Sequence, residues 1–164
     1  MQMSFNANEA FEMAVEAERN GAQFYRKAAD NAKDDGTRKI LLKFAAMEDE
    51  HELIFKAIQK EFQDKGDDQT AFDPDGIAAG YIKAIADSKS WEGKAGPDEE
   101  LTGDETIEEV IAIALQAEKE AVAFYAGVKE LVSSVEDKGK VDAIIREEMS
   151  HVAMLSNMLN DLRG

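Results

Sequence analysis

Two short strings in this sequence could do chemistry: Glu48-Asp49-Glu50-His51 and Glu148-Met149-Ser150-His151. Both are Glu-x-x-His. On a helix a spacing of three places the two side chains on one face, close enough to bind the same ion. The chain contains two histidines, and both fall in this motif. Around the first copy, Phe44, Ala45, Met47, Ile54 and Phe55 trace the apolar stripe of a helix. At about 100° per residue, Glu48 and His51 point into the middle of that stripe, while Asp49 and Glu50 point away. A carboxylate and an imidazole in a dry core are costly unless something compensates them.

The same placement recurs 100 positions later. Glu18 matches Glu118, Phe24-Tyr25 matches Phe124-Tyr125, Glu48 matches Glu148, and His51 matches His151. The apolar partners keep the register: Leu41 with Val141, Phe44 with Ile144, Phe55 with Leu155, Ile58 with Met158. Glu18 sits among Ala14, Val15, Ala22 and Tyr25, and Glu118 among Ala114, Leu115, Val122 and Tyr125. One glutamate from each of two helices plus Glu-x-x-His from each of two others is the ligand set of di-metal carboxylate bundles. The candidate metal ligands are therefore Glu18, Glu48, His51, Glu118, Glu148 and His151, which would act catalytically through the metals. Four carboxylates and two neutral imidazoles balance two divalent cations. Glu16, Glu50, Glu120 and Glu147 face outward or lie at the edge of the stripe, and read as solvated.

These residues need elements to hold them. Helical periodicity runs from about Asn8 to Ala32, Thr37 to Asp64, Thr106 to Ser133 and Lys138 to Leu162. Thr106 and Glu109 have capping-box spacing. Asn20-Gly21 reads as a turn in isolation, but Phe11, Ala14, Val15, Ala22 and Tyr25 keep one phase through it. Short links make each helix pair antiparallel. The expected fold is all-α: a single domain over 1–164, with hairpins 8–64 and 106–162 joined by a crossover at 66–104. The crossover holds a short helix near IAAGYIKAIADS and the one tryptophan, Trp91. It makes the first and third long helices antiparallel. Side chains tilt toward their helix N-terminus, so Tyr25 should meet Glu118, and Tyr125 should meet Glu18, orienting the carboxylates.

Composition excludes several classes. A net charge of −16 in 164 residues argues against nucleic-acid and anionic-membrane partners. Cysteine is absent, which removes disulfides, thiolate nucleophiles and iron–sulfur clusters. No apolar run reaches the roughly 20 residues of a membrane span, and MQMSFNANEA has no signal-peptide pattern. A cytoplasmic location is the expectation.

On Glu18 with Tyr25, Glu48-x-x-His51, Glu118 with Tyr125 and Glu148-x-x-His151, the chain resembles the rubrerythrin family of ferritin-like di-iron proteins along all four helices. The resemblance implies a four-helix bundle with a left-handed crossover, and two irons bridged by Glu48 and Glu148. Glu18 and His51 would complete one iron's ligands, Glu118 and His151 the other's. Manganese or zinc would suit the same residues. Rubrerythrins carry a further glutamate where this chain has Ala121, and often a Cys-x-x-Cys module that it lacks. The implied function is reduction of hydrogen peroxide or oxygen, a response to oxidative stress, with electrons from a separate donor such as a rubredoxin-like protein. The alternatives are ferroxidase and iron handling, or a metal-stabilised interaction module without turnover. A homodimer is the simplest assembly.

Overall fold

The computed structural model describes residues 7–65, 73–87 and 101–164. Trp91, the first six residues and much of the 66–104 crossover lie outside them. Five helices are present among the described residues: α1 (Ala7–Asp30), α2 (Asp35–Asp64), α3 (Ile77–Ala86), α4 (Ile107–Leu131) and α5 (Val135–Arg163). The four long ones are those the periodicity predicts, and α3 is the short crossover helix.

Local chemistry sets the helix starts. Asp34 caps α2 by accepting from the Thr37 amide at 2.8 Å. At α4 the expected capping box forms in both directions, Glu109 N to Thr106 Oγ1 at 3.2 Å and Thr106 N to Glu109 Oε2 at 2.8 Å. Ser134 caps α5 through the Asp137 amide at 3.0 Å. A side chain that satisfies an otherwise orphaned amide is worth about 1 kcal/mol at such a position. The short links at 31–34 and 132–134 then turn each pair back on itself.

The core is split in two. One apolar cluster contains Phe11, Phe55, Ile58, Phe124, Val128, Val141 and Ile144. The other contains Phe24, Leu41, Phe44, Ile111, Leu115, Leu155 and Leu159. Every long helix crosses from one cluster to the other, and on every one the glutamates and histidines fall between them. Along α1 and α5 the chain passes from the first cluster to the second; along α2 and α4 it passes the other way. That order makes α1 antiparallel to both α2 and α4, the arrangement expected from two hairpins and a crossover. The polar residues thus form one layer across the middle of the bundle, with apolar packing above and below.

Helix α1 runs unbroken through Asn20-Gly21. Gly21 is there for a contact rather than a turn: a β-carbon on it would lie 3.3 Å from Glu48 Oε2 on α2. A second helical glycine, Gly127, seats α3 against α4, where a β-carbon would stand 2.6 Å from Ile82 Cγ1 and 2.7 Å from Tyr81 Cδ1. Tyr81 completes the seat by donating from its hydroxyl to the Ala123 carbonyl at 2.6 Å. The position matching Gly127 in the first hairpin is the exposed Lys27. Glycine to alanine at a free helical site stabilises by about 0.5–1 kcal/mol. Gly127→Ala should instead destabilise by about 1–3 kcal/mol through overpacking, with faster amide exchange confined to 77–86. Denaturant unfolding and hydrogen exchange check both; a stabilised variant would contradict the seat.

Candidate metal centre

All six residues singled out by type and spacing meet in the central layer. Glu148 is 0% exposed, Glu18 and His51 1%, His151 2%, and Glu48 and Glu118 5%. Helices α1 and α4 supply Glu18 and Glu118 from their buried faces, and α2 and α5 supply the Glu-x-x-His pairs. Two overlapping sets form: Glu18, Glu48, His51 and Glu148, and Glu48, Glu118, Glu148 and His151. Within each, one donor atom per residue lies within 4.8 Å of the others. Glu48 and Glu148 belong to both sets.

The imidazoles turn the same atom inward. His51 Nδ1 lies 2.8 Å from Glu148 Oε1 and 3.4 Å from Glu18 Oε2. His151 Nδ1 lies 3.2 Å from Glu148 Oε2, 3.4 Å from Glu118 Oε1 and 3.6 Å from Glu48 Oε1. The expected tyrosine bonds are both present. The Tyr25 hydroxyl donates to Glu118 Oε1, and the Tyr125 hydroxyl donates to Glu18 Oε1. Burial, then the charges of the neighbouring glutamates, hold both phenols well above their usual range, so they remain donors.

The reading of Glu147 as simply solvated is corrected here. It is half-exposed, but its Oε2 lies 2.7 Å from His51 Nε2, the ring nitrogen facing away from the cluster. On His151 the corresponding nitrogen faces Met47 Sδ at 3.4 Å. Glu120 is also more than a solvated side chain. It accepts from Gln116 at 2.8 Å and borders a small cavity between α1 and α4. That cavity is about 30 Å³, and its wall includes Ala17, Gly21, Ala117, Ala121, Glu48 and Glu118. Glu16 and Glu50 are exposed, as expected.

Four buried side-chain atoms among the described residues lack a hydrogen-bond partner: Glu18 Oε2, Glu48 Oε1, His51 Nδ1 and Glu148 Oε1. Two of them, Glu18 Oε2 and His51 Nδ1, belong to the first set alone, and the other two sit on the glutamates common to both sets. The 2.8 Å approach of His51 Nδ1 to Glu148 is close but not aligned as a hydrogen bond. Orphaned buried polar atoms are rare because each costs about 1–3 kcal/mol. Carboxylate oxygens and imidazole nitrogens converging at this spacing suit first-row divalent ions. The residues fit a metal pair.

Protons can stand in for metal at such a cluster. Burial alone would lower His51, but Glu148, Glu48 and Glu147 outweigh it and hold the imidazole up to about 9. Burial likewise opposes charge on His151, yet Glu118 and Glu148 bring it to about 10. Burial, reinforced by Glu148, raises Glu118 to about 8. Glu18 and Glu48 are raised well above the carboxylate range, chiefly by burial. Glu148 goes the other way: burial opposes its charge, but Glu118, His151 and His51 close around it carry it below that range.

An all-helical bundle with four glutamates and two histidines across its middle defines the ferritin-like carboxylate class. Residues 9–159 match the rubrerythrin family, and the chain belongs to it. Its fold is also similar to that of a Thermotoga maritima protein described as a ferritin-like diiron-carboxylate protein. The TM-score is 0.68 at 18% identity, over 98% of each chain. No curated protein matches. No helix among the described residues is long and apolar enough to cross a membrane.

The raised groups give a sign for pH dependence. A group whose folded pKa exceeds its unfolded value stabilises the fold below the unfolded value and loses that contribution as pH rises through the folded one. For Glu118 the window runs from 4.5 to about 8. For His51 and His151 it runs from 6.5 to about 9 and about 10. The depressed Glu148 contributes fully above 4.5 and adds no slope there. Metal-free protein should therefore lose stability between about pH 6 and pH 9, while divalent metal flattens the curve and releases protons on binding. Thermal melts with and without metal check this; a metal-free stability that rises over the same range would contradict it.

Proposed function

We propose that this chain is a non-haem di-iron oxidoreductase that reduces hydrogen peroxide or dioxygen and is re-reduced by a separate donor, such as a rubredoxin-like protein. Glu48 and Glu148 would be shared between two irons in this reading. Glu18 and His51 would complete one ligand set, Glu118 and His151 the other. A ferrous pair held there would supply the two electrons that, with two protons, convert one peroxide into two waters.

The carrying observation is the small cavity. At about 30 Å³, it suits a molecule of two heavy atoms, and its wall includes carboxylates from the cluster and both tyrosines. One water takes about 10–15 Å³ on the same measure. Ala121 lines it, at the position where the family's further glutamate would stand. Tyr25 and Tyr125 keep Glu118 and Glu18 oriented from the far ends of their helices, which limits carboxylate movement as the cluster's charge changes.

Metal-free protein titrated with Fe²⁺ without oxygen should saturate at two irons per chain. One equivalent of peroxide should then give a near-ultraviolet ferric band that a reductant erases. Ala121→Leu, which fills the cavity, should slow that reaction at least about tenfold and leave iron stoichiometry unchanged. Iron accumulating beyond two per chain in a large hollow assembly would instead indicate ferroxidase and storage. Two irons bound with no reaction to either oxidant would leave a metal-stabilised interaction module.

A further inference from the structure

We infer that the two halves of the cluster are inequivalent, and that the set Glu18, Glu48, His51 and Glu148 takes the first divalent ion because Glu147 positions His51. The inference rests on the di-metal reading above and adds an order of loading to it.

The repeat preserves all six cluster residues at a spacing of 100, but it differs one residue before Glu48 and Glu148, where Met47 matches Glu147. Those two residues hold the outward nitrogens of the histidines, each reaching across to the other hairpin. Glu147 Oε2 is 2.7 Å from His51 Nε2, and Met47 Sδ is 3.4 Å from His151 Nε2. A carboxylate is a strong acceptor. It fixes the proton on Nε2, leaves the Nδ1 lone pair facing the cluster, and makes the imidazole a better ligand. A thioether accepts weakly and does little of this.

A second observation points the same way. Of the four orphaned buried atoms, Glu18 Oε2 and His51 Nδ1 belong to the His51 set alone, Glu48 Oε1 and Glu148 Oε1 sit on the two glutamates shared by both sets, and none is exclusive to the His151 set. The tyrosine bonds are alike in the two sets, Tyr25 to Glu118 and Tyr125 to Glu18, but in the other set His151 Nδ1 is already engaged by Glu148 Oε2 at 3.2 Å. An ion entering the His51 set satisfies donors that have nothing else. An ion entering the His151 set must first displace a hydrogen bond from the imidazole that ligates it. Glu147 is a positioning residue in this account, since it reaches the ion through His51.

Cobalt(II) alone is the probe, titrated into the full metal-free chain and followed by its visible absorption. Wild-type protein should bind two equivalents in two resolved steps. His51→Ala should abolish the tighter step, whereas His151→Ala should keep it. Glu147→Met, which copies the first repeat, should weaken the tight step about 10- to 100-fold and bring the two steps together. Met47→Glu should strengthen the weaker step. With one equivalent bound, proton NMR should show a shifted imidazole N–H whose exchange with water accelerates in Glu147→Met; a purely structural role for Glu147 would lower thermal stability and leave that signal alone. Two wild-type equivalents of equal affinity, steps unmoved by both Glu147→Met and Met47→Glu, or a tight step lost with His151 would each overturn the inequivalence while sparing the di-metal reading. Fewer than two equivalents in wild-type protein would overturn both.

Discussion

The rest of the molecule is organised around one electrostatic constraint: four carboxylates and two imidazoles lie within one layer of a small core, nearly out of reach of water. An isolated buried charge is prohibitively costly, and even a paired one must have good geometry and satisfied neighbours to be tolerated. Two features meet that constraint here. Tyr25 and Tyr125 each give one carboxylate a buried hydroxyl donor. The remaining orphaned atoms converge at metal-ligand spacing, so that cations, or protons in their place, can balance the layer. The apolar clusters on either side then fix its height in the bundle.

The duplicated hairpin explains why the layer is nearly symmetric, and its exceptions explain what is not. Gly21 lets Glu48 lie against α1, whereas its match, Ala121, carries a methyl group at the equivalent place, and both line the cavity. Gly127 receives α3, whereas its match, Lys27, is exposed, so the glycine seat for the crossover helix exists on the second hairpin and not at the matching position of the first. Met47 and Glu147 divide the histidines into one held by a thioether and one held by a carboxylate. A repeat that keeps its polar cluster and diverges around it retains a common chemistry while differentiating its two halves.

The cluster was legible in the sequence because helical periodicity reports direction. Glu48 and His51 stand in phase with Phe44 and Phe55, and the repeat places Glu148 and His151 identically. The cross-bundle tyrosine bonds followed from helix direction and side-chain tilt alone. Helix starts were legible where capping residues announce them, as at Thr106 and Glu109. What stayed hidden depends on distances between helices. Glu147 is about 100° around α5 from Glu148, and only the neighbouring α2 turns that edge position into a partner for His51. Gly21 looked like a turn signal because its reason lies on α2, in Glu48. The cavity was equally hidden: Ala17, Ala117 and Ala121 declare small side chains, but whether neighbours fill the gap is a property of packing.

The most direct test of the central claim is a crystal structure of iron-loaded protein with anomalous scattering recorded on both sides of the iron absorption edge. The account predicts two iron peaks in the layer between the apolar clusters, one within reach of Glu18 and His51, the other within reach of Glu118 and His151, with Glu48 and Glu148 between them. Peaks elsewhere on the bundle, or an empty layer in protein that has taken up iron, would contradict it.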